Sequence, residues 1–158
     1  MKHIYIAGPW KDRPHVIDQA QKLREAGFTV DCRWLTANDV ADDDPNRAQY
    51  LKDQAMNDIE DLIKADLLMV INTRQSEGKA VELGMAIAAL KRIIIIGDRT
   101  NIFNYLNIPR FDWIEEAIAF LLAEEKAAAE KDEEVQRQQR ADTIQRFKET
   151  GVVFKDSV

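Results

Sequence analysis

The stretch DLLMVINTRQSEGKAVELGMAIAALKRIIIIG (66–97) decides the fold. DLLMVIN (66–72) is apolar through its centre with no alternation, the pattern of a central parallel strand buried on both faces. RQSEG (74–78) is a loop, KAVELGMAIAAL (79–90) carries a helical pattern, and RIIIIG (92–97) is a second strand apolar throughout. A strand, a helix and another strand in such quick succession form a crossover unit, which joins two parallel neighbours in one sheet.

The same alternation continues on both sides. HIYIA (3–7) is a first strand closed by Gly8-Pro9. VIDQAQKLREAG (16–27) is a helix with Val16, Ala20 and Leu23 at helical spacing and Gly27 as its stop. FTVDC (28–32) reads as a second strand, TANDVADDDPN (36–46) as an acidic, turn-rich loop, and NRAQYLKDQAMNDIEDLIKA (46–65) as a helix. NIPRF (107–111) supplies a short fifth strand, and from Asp112 a last helix runs through WIEEAIAFLLAEE towards Lys148. The expectation is an α/β fold: a flavodoxin-like, doubly wound, five-stranded parallel sheet of order 2-1-3-4-5, with a charged C-terminal helical extension. Residues 1–123 would form the catalytic domain and 124–158 the extension. That extension holds 14 charged residues between 124 and 149 and few apolar ones, as in a solvated helix or a partner-binding arm. The end, GVVFKDSV (151–158), carries a small apolar cluster suited to docking.

Composition narrows the task. The chain has 158 residues, 46% of them hydrophobic, enough for one domain with a core. A net charge of −6 argues against coating nucleic acid and favours a small-molecule task. No apolar run approaches the roughly 20 residues that span a membrane, and MKHIYIAGPW reads as strand and turn rather than a signal peptide. Cys32 stands alone, and His3 and His15 have no ligand-like spacing, so neither a disulfide framework nor a metal site is expected. These features point to the cytoplasm.

In a doubly wound sheet, ligands bind beyond the carboxyl ends of the strands at the switch point. That rule selects Gly8-Pro9-Trp10-Lys11 after the first strand and Asn72 to Gly78 before the helix bearing Glu82. Glu82 is the only charge within AVELGMAIAAL (80–90). With the helix starting near Lys79 it falls in the first turn, where the helix dipole keeps a carboxylate ionised. That is a structural account; the functional one is a carboxylate placed to attack a sugar C1′. Gly84 and Ala88 give that helix a flat face able to lie close to the sheet. On the preceding helix Ala55, Ile59, Leu62 and Ile63 define the buried arc. Asp58 falls at its margin, where spacing allows either the cleft or solvent, while Glu60, Asp61 and Lys64 look solvated. Ser76 and Gly78 precede a helix start, whose free amides with a neighbouring hydroxyl suit an anion, and Gly8 and Lys11 can face it. Trp10 can stack on a base or cap the core. Asn72 and Arg74 end a buried strand, a common place for specificity contacts.

Taken together, SEGKAVELGMAIAALKRIIII, IYIAGPW and NDIEDLIKADLLMV resemble the blocks of the nucleoside 2-deoxyribosyltransferase superfamily over about residues 3–122. The resemblance implies that Glu82 is the nucleophile forming a glycosyl-enzyme ester. It implies that Asp58 orients substrate and assists protonation of the departing base, and that Gly8 lets backbone approach the ligand. Where the transferases carry an aspartate six residues before the nucleophile, this chain has Ser76, as in the 2′-deoxynucleoside 5′-monophosphate N-hydrolase branch, where that serine binds phosphate. Lys11 falls at that branch's basic phosphate contact. Pro109 stands near where a neighbouring subunit's serine would complete the phosphate site, and the extension after Ala123 has no counterpart.

The expected activity is therefore hydrolysis of the N-glycosidic bond of a nucleoside 5′-monophosphate, without metal or other cofactor, in a homodimer or larger homo-oligomer. The partner is a small nucleoside or nucleotide rather than nucleic acid or a membrane. A base-exchanging deoxyribosyltransferase, an NAD glycohydrolase and a non-catalytic nucleotide-sensing module are the alternatives.

Overall fold

The computed structural model describes residues 2–99 and 101–150. GVVFKDSV (151–158) lies outside the described residues. The chain divides into two compact units, Met1–Ile118 and Ala119–Val158.

The first unit is built on a four-stranded parallel sheet of β1 (Ile4–Ala7), β2 (Leu67–Asn72), β3 (Arg92–Gly97) and β4 (Arg110–Phe111), hydrogen-bonded in that order. All six residues of β2 are buried, because it lies between β1 and β3 and is covered on both faces. Between the strands run α1 (Arg13–Glu25), α2 (Arg47–Lys64) and α3 (Glu77–Ala88). The sheet opposes Ile4 to Leu67 and Ala7 to Val70, and continues from Leu67 and Arg92 to Asn72 and Gly97. The carboxyl ends of β1, β2 and β3 are thereby brought to one edge of the sheet.

The expected five-stranded sheet is corrected to four strands. FTVDC (28–32) lies beside β1, as the order 2-1-3-4-5 requires, but contributes only the isolated parallel bridge His3–Thr29. Thr29 exchanges hydrogen bonds with Lys2 and Ile4, at 3.2 and 2.8 Å. Beyond that point side chains replace the ladder. Ile6 N–H donates to Cys32 Sγ at 3.2 Å, and Ile6 C=O accepts from the Trp34 indole at 2.9 Å. With its backbone groups satisfied this way, β1 needs no further strand pairing there. The chain turns instead into a short 3-10 turn at Arg33–Thr36.

Gly27 stops α1 as its position suggested. It adopts a positive φ of 95°, its N–H bonds Arg24 C=O at 3.0 Å, and Phe28 N–H bonds Leu23 C=O at 3.0 Å. These two bonds form a Schellman motif, which returns the chain towards β1. The end of α3 repeats the motif with Leu90 at a φ of 53° in place of glycine.

On α2 the buried arc differs from the expected one. Ile63 is 61% exposed, whereas Asp61 is buried at 6%. The Asp61 carboxylate is tolerated inside because Arg33 satisfies it twice, through its backbone N–H at 2.9 Å and its guanidinium at 2.8 Å. Gly84 and Ala88 are likewise exposed rather than turned to the sheet, and Lys79, Leu83 and Ala86 are the buried residues of α3.

The helix α4 (Ile114–Thr150) contributes Ile114 and Ala117 to the core of the first unit. In the second unit its residues 126–149 are exposed, with same-face pairs such as Lys126–Glu130 at 3.8 Å and Gln138–Asp142 at 2.8 Å. Such pairs support a solvated helix in modest increments. Among the described residues, no helix is long and apolar enough to cross a membrane.

Candidate active site

Most of the expected site residues gather around a cleft of about 480 Å3 in the first unit. One wall is a single stripe of α2. Counting back from Asp58 by threes and fours gives Ala55, Gln54, Leu51, Tyr50 and Arg47, and all of these line the cleft. The facing wall is the start of α3, with Ser76, Gly78, Lys79 and Glu82. Gly8, Trp10 and Trp34 complete the cavity together with Asn38, Asp39 and Val40 of the loop before α2.

Glu82 is partly buried and accepts a hydrogen bond of 2.5 Å from the hydroxyl of Tyr5. Tyr5 sits on β1 with only 1% of its surface exposed, and burial raises its pKa, so it remains a donor. α3 begins at Glu77, with Ser76 as its N-cap, so Glu82 lies in the second turn rather than the first. The dipole contribution is correspondingly weak. Burial dominates and pushes the Glu82 carboxyl up to about 8. The Tyr5 hydrogen bond and the charge of Lys79 oppose this rise, while the charge of Asp58 adds to it.

Asp58 is pushed up to about 6, first by burial and then by the nearby Asp61, with Arg33 opposing. Its Oδ1 is buried and makes no hydrogen bond among the described residues. A buried carboxylate oxygen without a partner is costly in a protein interior, and a ligand that donates to it removes the penalty. Between about pH 6 and pH 8 the two carboxyls therefore hold one proton between them, a state that belongs to the pair.

The other expected residues divide. Gly8, Trp10, Ser76 and Gly78 line the cleft. Pro9 is buried and Lys11 exposed, and neither is part of the lining. Asn72 is buried, and its amide is committed to Lys79 Nζ and to Asp98 C=O. It lines a neighbouring cavity of about 350 Å3 that shares Ser76 and Lys79 with the cleft. Arg74 is held by Asp12 at 2.6 Å. A Cβ on Gly8 would stand 2.5 Å from Val16 Cγ2, so packing against α1 by itself demands glycine there. Ser76 Oγ accepts from the Lys79 backbone N–H at 3.5 Å, which leaves its own proton free to donate. The Trp10 indole donates to Asp39 at 3.0 Å, its ring lies 6.4 Å from Trp34, and the Arg13 guanidinium sits 4.1 Å above it. The Asp42–Asp44 run stays outside the lining, with Asp42 paired to Arg47 at 3.0 Å.

Sequence reasoning passed over Tyr5, Lys79, Arg47, Trp34 and Tyr50. Tyr5 carried a signal, because a hydroxyl on a strand buried on both faces must find a partner. Arg47 and Tyr50 were also legible, as the continuation of the Asp58 stripe towards the start of α2. Lys79 and Trp34 depend on contacts far apart in the chain and carried none.

Comparison with known proteins places this geometry. The solved 2-deoxyribosyltransferase of Bacillus psychrosaccharolyticus superposes with a TM-score of 0.60 at 23% identity, covering 73% of this chain and 90% of that one. The CMP N-glycosidase BcmB of Clostridium botulinum gives a TM-score of 0.47 at 19% identity, covering 76% and 97%. The search of curated proteins gave no match. The family model for nucleoside 2-deoxyribosyltransferase matches residues 4–112, which include both carboxylates and every residue lining the cleft. The chain therefore belongs to the nucleoside 2-deoxyribosyltransferase family and is an enzyme.

Proposed function

We propose that the enzyme hydrolyses the N-glycosidic bond of a (deoxy)nucleoside 5′-monophosphate, releasing free base and sugar phosphate. The observation that carries this reading is the pair of carboxyls, Glu82 and Asp58, on facing walls of one cleft. The form that acts has Glu82 ionised and Asp58 protonated. Glu82 attacks C1′ as the bond to the base breaks, through an oxocarbenium-like transition state, and forms a sugar ester. The bonding electrons leave with the base, which takes the Asp58 proton. Water then attacks C1′ of the ester, delivers a proton to the Asp58 carboxylate, and regenerates Glu82. Trp10 and Trp34 offer aromatic surface for the base.

Phosphate is assigned to Ser76 and the α3 amides, with positive charge from Lys79 and Arg47, since Lys11 lies outside the lining. A hydrogen bond to a charged group is worth about 1.5–3 kcal/mol, so Ser76→Ala should lower kcat/KM for monophosphates roughly 10- to 100-fold. Loss of the helix cap weakens the fold for every substrate, so nucleosides serve as the internal control. An equal loss on both classes would remove Ser76 from phosphate recognition.

The nearest alternative, base exchange by a deoxyribosyltransferase, is favoured by the family model itself. Incubating a panel of nucleosides and monophosphates with and without a second base, and measuring free base and new nucleoside by chromatography, separates the two. Free base without exchange supports the hydrolase; exchange dominating over release overturns it.

We further expect a homodimer or larger assembly. Val81 and Leu90 on and after α3 are 62% and 92% exposed, and Gly84 and Ala88 leave the same helix open to close approach. Light scattering should give at least about twice the 18.1 kDa of one chain. A fully active protein at the mass of one chain would refute this expectation.

A further inference from the structure

One buried cation in the cleft has no part in the scheme above beyond a general positive charge. Lys79 is only 6% exposed, although lysine is almost never buried without cause. Its ammonium donates to Asn72 Oδ1 and to the Arg74 carbonyl, both neutral acceptors. An ammonium with neutral partners keeps its full charge for its surroundings, and it retains a third donor. Lys79 lies three residues before Glu82 on α3, a spacing that puts two side chains on one helix face, about 5–6 Å apart at Cβ. Both residues line the same cleft.

The charges around this pair come from several elements. Tyr5 of β1 bonds Glu82, and Asp58 of α2 faces it across the cleft. Asp12, before α1, acts on Lys79 but is itself engaged by Arg74 and Thr73. Arg47 of α2 and Asp39 of the preceding loop also line the cleft, and they are occupied by Asp42 and by Trp10. Lys79 is thus the cation that acts on Glu82 against burial and against Asp58.

We propose that Lys79 is a positioning residue for Glu82, its fixed buried ammonium holding in place the negative charge that Glu82 needs to attack and regains when the sugar leaves. This inference rests on the reading of Glu82 as nucleophile. Without Lys79, the proton shared by the two carboxyls is held still more firmly on Glu82, and the productive form, with Glu82 ionised and Asp58 protonated, is further depleted. Burial in turn draws the Lys79 ammonium down to about 8, so the cation and the carboxyl titrate in the same range and support each other.

The test reads Glu82 directly and needs no turnover. In protein labelled at the glutamate δ-carboxyl carbon, the Glu82 signal is assigned by its loss in Glu82→Gln, and its midpoint is followed with pH. In Lys79→Met and Lys79→Gln the Glu82 midpoint should rise by about a few tenths of a pH unit, since Lys79 is the weakest of the four influences on that carboxyl. The arm of the kcat/KM profile near pH 8 should move up with it, equally for nucleosides and monophosphates. Should neither variant fold, linkage supplies the reciprocal measurement: Glu82→Gln should lower the Lys79 midpoint, read at its labelled Cε. A Glu82 midpoint within about 0.2 of the wild-type value, or a loss confined to monophosphates, overturns the proposal. Base release that survives in Glu82→Gln would instead sink the nucleophile reading, whatever the titrations give.

Discussion

Replacing Glu82 by Gln should abolish base release, with kcat falling on the order of 10⁴-fold or more, while the circular dichroism of the chain stays unchanged. The substitution keeps the shape and the acceptor oxygen that Tyr5 bonds, and removes only the negative charge that attacks C1′. Stability should move in the opposite direction. The Glu82 pKa is raised from 4.5 to about 8 by folding, so the stability tied to its protonated form is complete below pH 4.5 and is lost as pH rises through about 8. Gln cannot ionise and escapes that loss. The variant should therefore match the wild type near pH 4.5 and exceed it at pH 9, by at least about 3 °C in Tm, the shift that roughly 1 kcal/mol produces in a chain of this size. Wild-type-like turnover in Glu82→Gln would remove Glu82 from the chemistry. A pH-independent difference in Tm would show that its carboxyl is not held in the protonated form by burial.

Asp58→Asn should lower kcat by about 10²-fold or more, the usual scale for losing a positioned acid. The shape of the pH profile is the sharper test. One proton shared by the two carboxyls between about pH 6 and pH 8 gives the wild type a bell-shaped kcat/KM with arms near those values. With Asn at position 58 there is no acid left to lose, so the alkaline fall should vanish and a single rising limb remain. Its midpoint should lie below about 8, because the Asp58 charge that raises Glu82 is gone. A variant with wild-type rate and an unaltered bell would make Asp58 an ordinary helix carboxylate.

Much of the molecule was written in local sequence. The all-apolar runs 67–71 and 93–96 could only be strands covered on both faces, and Gly27 marked its helix end, because burial and positive φ are demands each residue makes on its own surroundings. Glu82 stood out for a similar reason, as the only charge in the apolar run 80–90. The block pattern 3–122 also brought the family into view before the fold was built, and the family model confirms it over residues 4–112.

The tertiary structure decided what depends on partners distant in the chain. FTVDC has the composition of a strand, yet Cys32 and Trp34 take up the hydrogen bonds of Ile6 and leave only one bridge. Asp61 looks solvated by helical position, yet Arg33, 28 residues away, carries it into the interior. Whether Asp58 met water or the cleft depended on what packed beyond α2, since the period of a helix names its faces but not what covers them. The protonation of the site was likewise beyond local reading. Helix position predicted an ionised Glu82, whereas burial beside Tyr5 and opposite Asp58 raises its pKa, and desolvation is a property of everything that surrounds a group.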